Sequence, residues 1–284
     1  MALNEKILYK NLKEKFQAKE DFLEELEKEL ENVLNEVREV SENSAQKAKL
    51  MNSYLYSYPY MIQSCKKFSG KLEQEGKGKF SDSGAGVHDL VEAMFMIYSW
   101  MPRSLQFNSG KRPDTAKLID ALEFLPKLQQ ERAADVWREV KRDVYGVTNL
   151  GGVEGERTGN LKNIKEMLEG SMVALSKFLH FVNPKLFPMY DLNVARVLHR
   201  RVYTVEDYII YSQCFERVSR EFYSDEEGFV DDVRWREDLS KKVSEKAEKF
   251  DREFGCELTP IRAMELILFR KGREPVAEEN EGEE

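Results

Sequence analysis

Cysteine is scarce in this chain. Cys65, Cys214 and Cys256 are odd in number and far apart. That excludes a disulfide framework and a C-x-x-C metal motif, and it suits a reducing compartment. Histidine is as rare: His88, His180 and His199 show no metal-ligand spacing, and no H-E-x-x-H occurs. No metal and no cofactor is therefore expected. No apolar run reaches the roughly 18 residues that suggest a spanning helix. The opening MALNEKILYKNLKEKF carries no apolar signal core. The expectation is a cytoplasmic protein with no membrane partner. The sequence also holds no Gly-x-Ser-x-Gly, no dinucleotide fingerprint and no kinase set. The GKGK run at 76–79 is not followed by the Ser or Thr of a phosphate loop.

Charge and helical periodicity are abundant instead. Charged residues make up 34% of the chain and hydrophobic ones 41%, a soluble, helix-rich balance. The net charge of −8 disfavours indiscriminate nucleic-acid binding. The tail from Glu274, EPVAEENEGEE, carries six glutamates and no basic residue. It accounts for most of the excess and leaves room for local basic patches.

Residues 3–42 read as one long helix. Phe16, Leu23, Leu30 and Val37 fall at a positions, and Leu26, Val33 and Val40 at d, with Lys19 as the break. Two uses fit this seam: packing along the protein's own body, or self-association or partner binding through residues 16–40. Tyr54, Tyr56, Tyr58 and Tyr60 follow at two-residue spacing, which suits core packing or stacking on bases. Further helical spacing covers 87–101, the segment after Pro113, and 131–145. Five glycines then crowd residues 146–159. Helices are expected over 160–182, 192–203 and 204–222. A last one starts at Thr259-Pro260 and stops near Gly272. With no convincing strand pair, the expected class is all-α, a multi-helix globular fold with a long N-terminal amphipathic helix. Its parts are a heptad helix at 1–45, a helical region at 46–150, a second at 151–272 and a disordered acidic tail at 273–284.

Residues 175–203, LSKFLHFVNPKLFPMYDLNVARVLHRRVY, are the one stretch that suggests chemistry. At about 100° per residue, Leu168, Met172, Leu175, Phe178, Leu179 and Val182 share one face. Lys177 falls opposite, towards solvent, a cleft or a phosphate. Asn183-Pro184 ends the helix. Asp191 takes the N-cap position of the next one. There Arg196, His199 and Arg200 lie opposite Val194, Val197 and Leu198. A basic face of this kind fits phosphate contact, and it also fits salt bridges within the chain.

FPMYDLNVARVL resembles the segment that carries the catalytic aspartate in helix-hairpin-helix DNA glycosylases, particularly the adenine glycosylase branch. Pro188, Asp191, Asn193, Val194, Arg196, Val197 and Leu198 carry the match. The resemblance implies a glycosylase-like fold, DNA as partner, and Asp191 as the carboxylate that stabilises positive charge on the sugar as a base departs. Such enzymes first flip the base out of the duplex. Arg196, His199, Arg200 and Lys177 are then candidate nucleic-acid contacts. Two departures are visible. The glycine hairpin of the family is reduced to Gly170 in LEGSMVALS, and the helices on either side read as potentially continuous. The Schiff-base lysine of bifunctional members would align with Val173 or Met172, so a monofunctional or non-catalytic relative is expected. The four-cysteine iron–sulfur loop is missing as well. The alternative is a non-enzymatic helical interaction protein that works through its N-terminal heptads.

Overall fold

A computed structural model describes residues 3–42, 85–99, 115–129, 132–145, 159–224, 232–254 and 258–273. The tyrosine-rich segment, residues 146–158 of the glycine-rich stretch and the acidic tail from Glu274 lie outside the described residues. Those described are mostly helical, and no strand occurs among them. The helices are α1 (Glu5–Lys15), α2 (Lys19–Glu42), α3 (Ala85–Ser99), α4 (Thr115–Phe124) with a 3₁₀ turn (Leu125–Gln129), and α5 (Ala133–Tyr145). They continue as α6 (Asn160–Met167), α7 (Met172–Val182), α8 (Leu192–Leu198), α9 (Val205–Phe222), α10 (Asp232–Lys242), α11 (Ser244–Phe254) and α12 (Pro260–Arg273).

The expected single N-terminal helix is two helices. α1 ends at Phe16, and the chain re-enters helix at Lys19. Phe16 is itself buried and sets its ring edge-on to Phe22 at 5.5 Å, so the break places an aromatic in the core. The heptad seam faces inward. Phe16, Leu23, Leu26, Leu30 and Val33 are all buried, and α2 packs on α10, α11 and α12 of the same chain. Full burial of one such side chain contributes roughly 1.5–3 kcal/mol, so this seam is already used within the monomer. The side chains of Val37 and Val40 lie outside the described residues.

Helix starts follow their caps. Asn4 Oδ1 accepts from Ile7 N, and Thr204 with Asp207 forms a reciprocal capping box on α9. Helix α6 begins after a glycine with no capping side chain, so the neighbouring helix supplies one. Asp143 of α5 accepts from Asn160 N at 2.7 Å and from Leu161 N at 3.0 Å.

Two helices are enclosed on nearly every side: α7, where only Val173 is partly exposed, and the first ten residues of α12. This overturns the solvent expectation for Lys177. Helical projection opposes Lys177 to the leucine face, but α3, α6, α9 and the 3₁₀ turn surround α7. Both faces therefore meet protein, and Lys177 is only 6% exposed. The stretch 160–182 is not continuous helix either. It breaks at 168–171, where Glu169 (φ 54) and Gly170 (φ 72) take left-handed conformations and turn the chain into a helical hairpin. Nor does helix run to 203: α8 stops at Leu198, with His199 left-handed at φ 50.

Candidate nucleic-acid interface and buried lysine

The segment 187–190 joins α7 to α8 in irregular conformation, yet it is buried. Buried backbone groups outside regular structure need partners, and polar side chains from three helices provide them. From α7, the His180 ring nitrogen Nδ1 donates to Phe187 O at 2.8 Å. Ser176 Oγ accepts from Tyr190 N at 2.9 Å and donates to Tyr190 O at 3.2 Å. From α9, Tyr208 donates to Pro188 O at 2.9 Å and Tyr211 to Met189 O at 3.0 Å. From α12, Glu265 Oε2 accepts from Met189 N at 3.1 Å, and its other oxygen takes a bond from Arg262 Nη1. The chain that delivers Asp191 is thus gripped along its length. His180 is fully buried, and burial followed by the nearby Arg262 charge pushes its pKa down to about 3, so it grips as neutral imidazole.

Asp191 is the N-cap of α8. One carboxylate oxygen, Oδ1, accepts both Asn193 N (2.8 Å) and Val194 N (3.0 Å). The other, Oδ2, accepts no hydrogen bond from any described residue. The cap therefore engages half of the group. Burial pushes the Asp191 carboxyl up, opposed by the Val194 N–H, by Lys177 and by the Asn193 N–H. Lys177 senses the same neighbourhood. Burial lowers its pKa to about 8, while the charges of Asp191 and Glu265 pull it up and Arg262 pushes it further down. Lys177 and Asp191 thus feel each other's charge, and the lysine stands four or five positions after Val173 and Met172, where the glycosylase pattern would put it. The i,i+3 pair Arg262 and Glu265, inside the otherwise apolar run PIRAMELILF, was the sequence signal of a buried polar site near α12.

Above the cap, Leu192, Ala195, Arg196, His199, Arg200 and Arg201 line an open pocket of about 460 Å³. The sequence placed Arg196, His199 and Arg200 on one face, and the structure brings them together here. Arg201 joins them because His199 turns the chain out of the helix. Arg196 donates to the Asn193 side chain at 3.3 Å and Arg200 to His199 O at 2.8 Å. Among the described residues, none of these four side chains makes an ion pair. Other exposed cations do, such as Lys13 with Glu221 at 2.9 Å and Lys162 with Glu206 at 2.7 Å. Among the described residues, then, this basic face is not used for salt bridges.

The α6–α7 hairpin differs from a phosphate-holding one. Its turn amides are engaged internally: Glu169 N to Glu166 O, Gly170 N to Lys165 O and Ser171 N to Leu168 O. A glutamate also stands at its tip. No group of metal-ligating side chains occurs among the described residues, and no helix described is long and apolar enough to cross a membrane. Comparisons with family models, with curated proteins and with solved structures found no match for this chain.

Proposed function

We propose that this chain acts on nucleic acid as a base-removing enzyme of the glycosylase kind, with Asp191 and Lys177 at its reacting centre; Lys177, not the aligned Met172 or Val173, then supplies the amine that the monofunctional expectation leaves out. The supporting observation is a half-engaged carboxylate that shares its charge field with a buried lysine of lowered pKa, next in the chain to a pocket whose three arginines make no ion pair among the described residues. The arginines hold phosphates. Asp191 opposes positive charge on the sugar as the bond to the base breaks. A desolvated lysine is a competent nucleophile near neutral pH. Its neutral amine attacks the sugar C1′, forming a C–N bond. The base leaves with the glycosidic electron pair and takes a proton, and the amine nitrogen loses one. Opening of the sugar ring then gives an imine, which water hydrolyses to release the amine.

Borohydride trapping on an oligonucleotide with an abasic site tests this. The expected result is a covalent adduct with the native chain, none with Lys177→Gln, and far less with Asp191→Asn. Adduct yield should rise through pH 8, because the amine is charged below that value and neutral above it. Absence of any adduct, together with absence of binding to the oligonucleotide, overturns the proposal. The alternative, an interaction protein using residues 16–40, loses the described part of its seam to the protein's own core.

A further inference from the structure

Six large apolar side chains stay well exposed among the described residues, and two of them flank this site: Leu192 at 57% and Tyr203 at 59%. Leu192 follows Asp191 directly and lines the arginine pocket. Tyr203 ends the run His199-Arg200-Arg201-Val202-Tyr203. Along its last three residues burial alternates: Arg201 is exposed, Val202 is buried and Tyr203 is exposed. Two-residue spacing therefore puts Arg201 and Tyr203 on the same side, about 6.6 Å apart at an extended rise per residue. Both act on the phenol of Tyr190, the residue preceding Asp191.

The segment is also held firmly. Tyr190 Oη accepts from Val202 N at 3.0 Å, Asp207 Oδ2 accepts from Tyr203 N at 3.2 Å, and Lys165 Nζ donates to Tyr203 O at 3.0 Å. The Tyr203 ring itself stacks on no described residue. Its neighbours in the site do meet other rings: Tyr190 sets its ring edge-on to Tyr211, and Tyr211 stacks on Tyr208. A firmly held backbone thus presents an exposed aromatic ring beside arginines that make no ion pair among the described residues.

Resting on the nucleic-acid reading above, we infer that Tyr203 is a stacking platform for an unpaired nucleobase, and that the natural ligand of this surface is single-stranded DNA. One nucleotide sets its phosphate on Arg201 and its base on Tyr203. A base kept inside a duplex has no free face to offer. Leu192, on the other side of Asp191, gives apolar cover to the adjoining sugar or base. Cationic grooves bordered by aromatic rings are how single strands are held without sequence preference.

Fluorescence anisotropy with one labelled oligonucleotide of roughly 15 nucleotides, a length one such module can engage, tests this as single strand and as duplex at low salt. The single strand should bind more tightly. Tyr203→Ala should weaken single-strand binding by about tenfold, in line with loss of one stacked base, and leave duplex binding nearly unchanged. Tyr203→Phe, which keeps the ring, should bind like the native chain. Equal single-strand affinity for native and Tyr203→Ala chains, or tighter duplex binding, overturns the inference. If an Arg196→Gln, Arg200→Gln double variant still weakens binding in that case, the nucleic-acid reading survives alone. Absence of binding to either form removes both.

Discussion

Asp191 divides its two oxygens between structure and chemistry. Oδ1 closes the first turn of α8 through two amide bonds, and Oδ2 has no hydrogen-bond donor among the described residues. Substitution can separate the two roles, because asparagine caps a helix about as well as aspartate but carries no charge. Asp191→Asn should therefore melt within a few degrees of the native chain. Asp191→Ala should lose about 1 kcal/mol of stability with the cap. Both should lose adduct formation to a similar degree. Calorimetry beside the trapping assay measures the two effects. Equal loss of stability in both variants would show that the charge, and not the cap, holds the turn. Lys177 teaches a second lesson at this scale. Its position opposite the leucines of α7 was readable from residue spacing. Its burial was not, because projection around one helix assumes that one side faces water. Whether α7 meets water is decided by α3, α6 and α9, which come from distant parts of the chain.

At the scale of elements, the readable features were those in which a few neighbouring residues decide the outcome. Asp191, Thr204 with Asp207, and Thr259-Pro260 mark helix starts that the structure contains. Breaks inside long periodic stretches were hidden, since the pattern of buried residues continues across 16–18 and 168–171 while the backbone turns. Helices α10 and α11 were missed because charge is dense there. Yet Trp235, Leu239, Val243, Ala247 and Phe250 recur at three- to four-residue spacing, and all are buried. The tightest contact between elements bears on function. Helix α8 lies so close to α12 that a Cβ on Gly272 would stand 2.1 Å from Asn193 O and 2.8 Å from its Cα. Both are backbone atoms of the first turn that Asp191 caps, so no side chain can yield. Gly272→Ala should force α8 away from α12 and cost about 1–3 kcal/mol, the usual range for overpacking. Amide exchange at Asn193 and Val194 should accelerate as their bonds to Asp191 loosen. Unchanged exchange at these two amides would mean that α12 absorbs the shift instead.

For the molecule as a whole, net charge and local charge point in opposite directions. The chain carries −8, and a polyanion should be repelled by most of its surface. The pocket of Arg196, His199, Arg200 and Arg201 gathers positive charge that meets no ion-pair partner among the described residues, whereas Lys246 touches both Glu27 and Glu31 at 3.0 Å. Binding should then depend on few phosphate contacts and on no diffuse attraction. For a single strand the logarithm of affinity falls with the logarithm of salt by about 0.7 per phosphate neutralised. Three arginines therefore give an expected slope of about −2 by that rule. Replacing Arg196, Arg200 and Arg201 by glutamine should bring the slope close to zero and abolish measurable affinity, with stability little changed because none of the three makes an ion pair among the described residues. A slope that stays the same in the triple variant would place the phosphate contacts elsewhere on the protein. A slope that falls by about a third with each arginine removed would show that each holds one phosphate and that together they supply the electrostatic part of the interface.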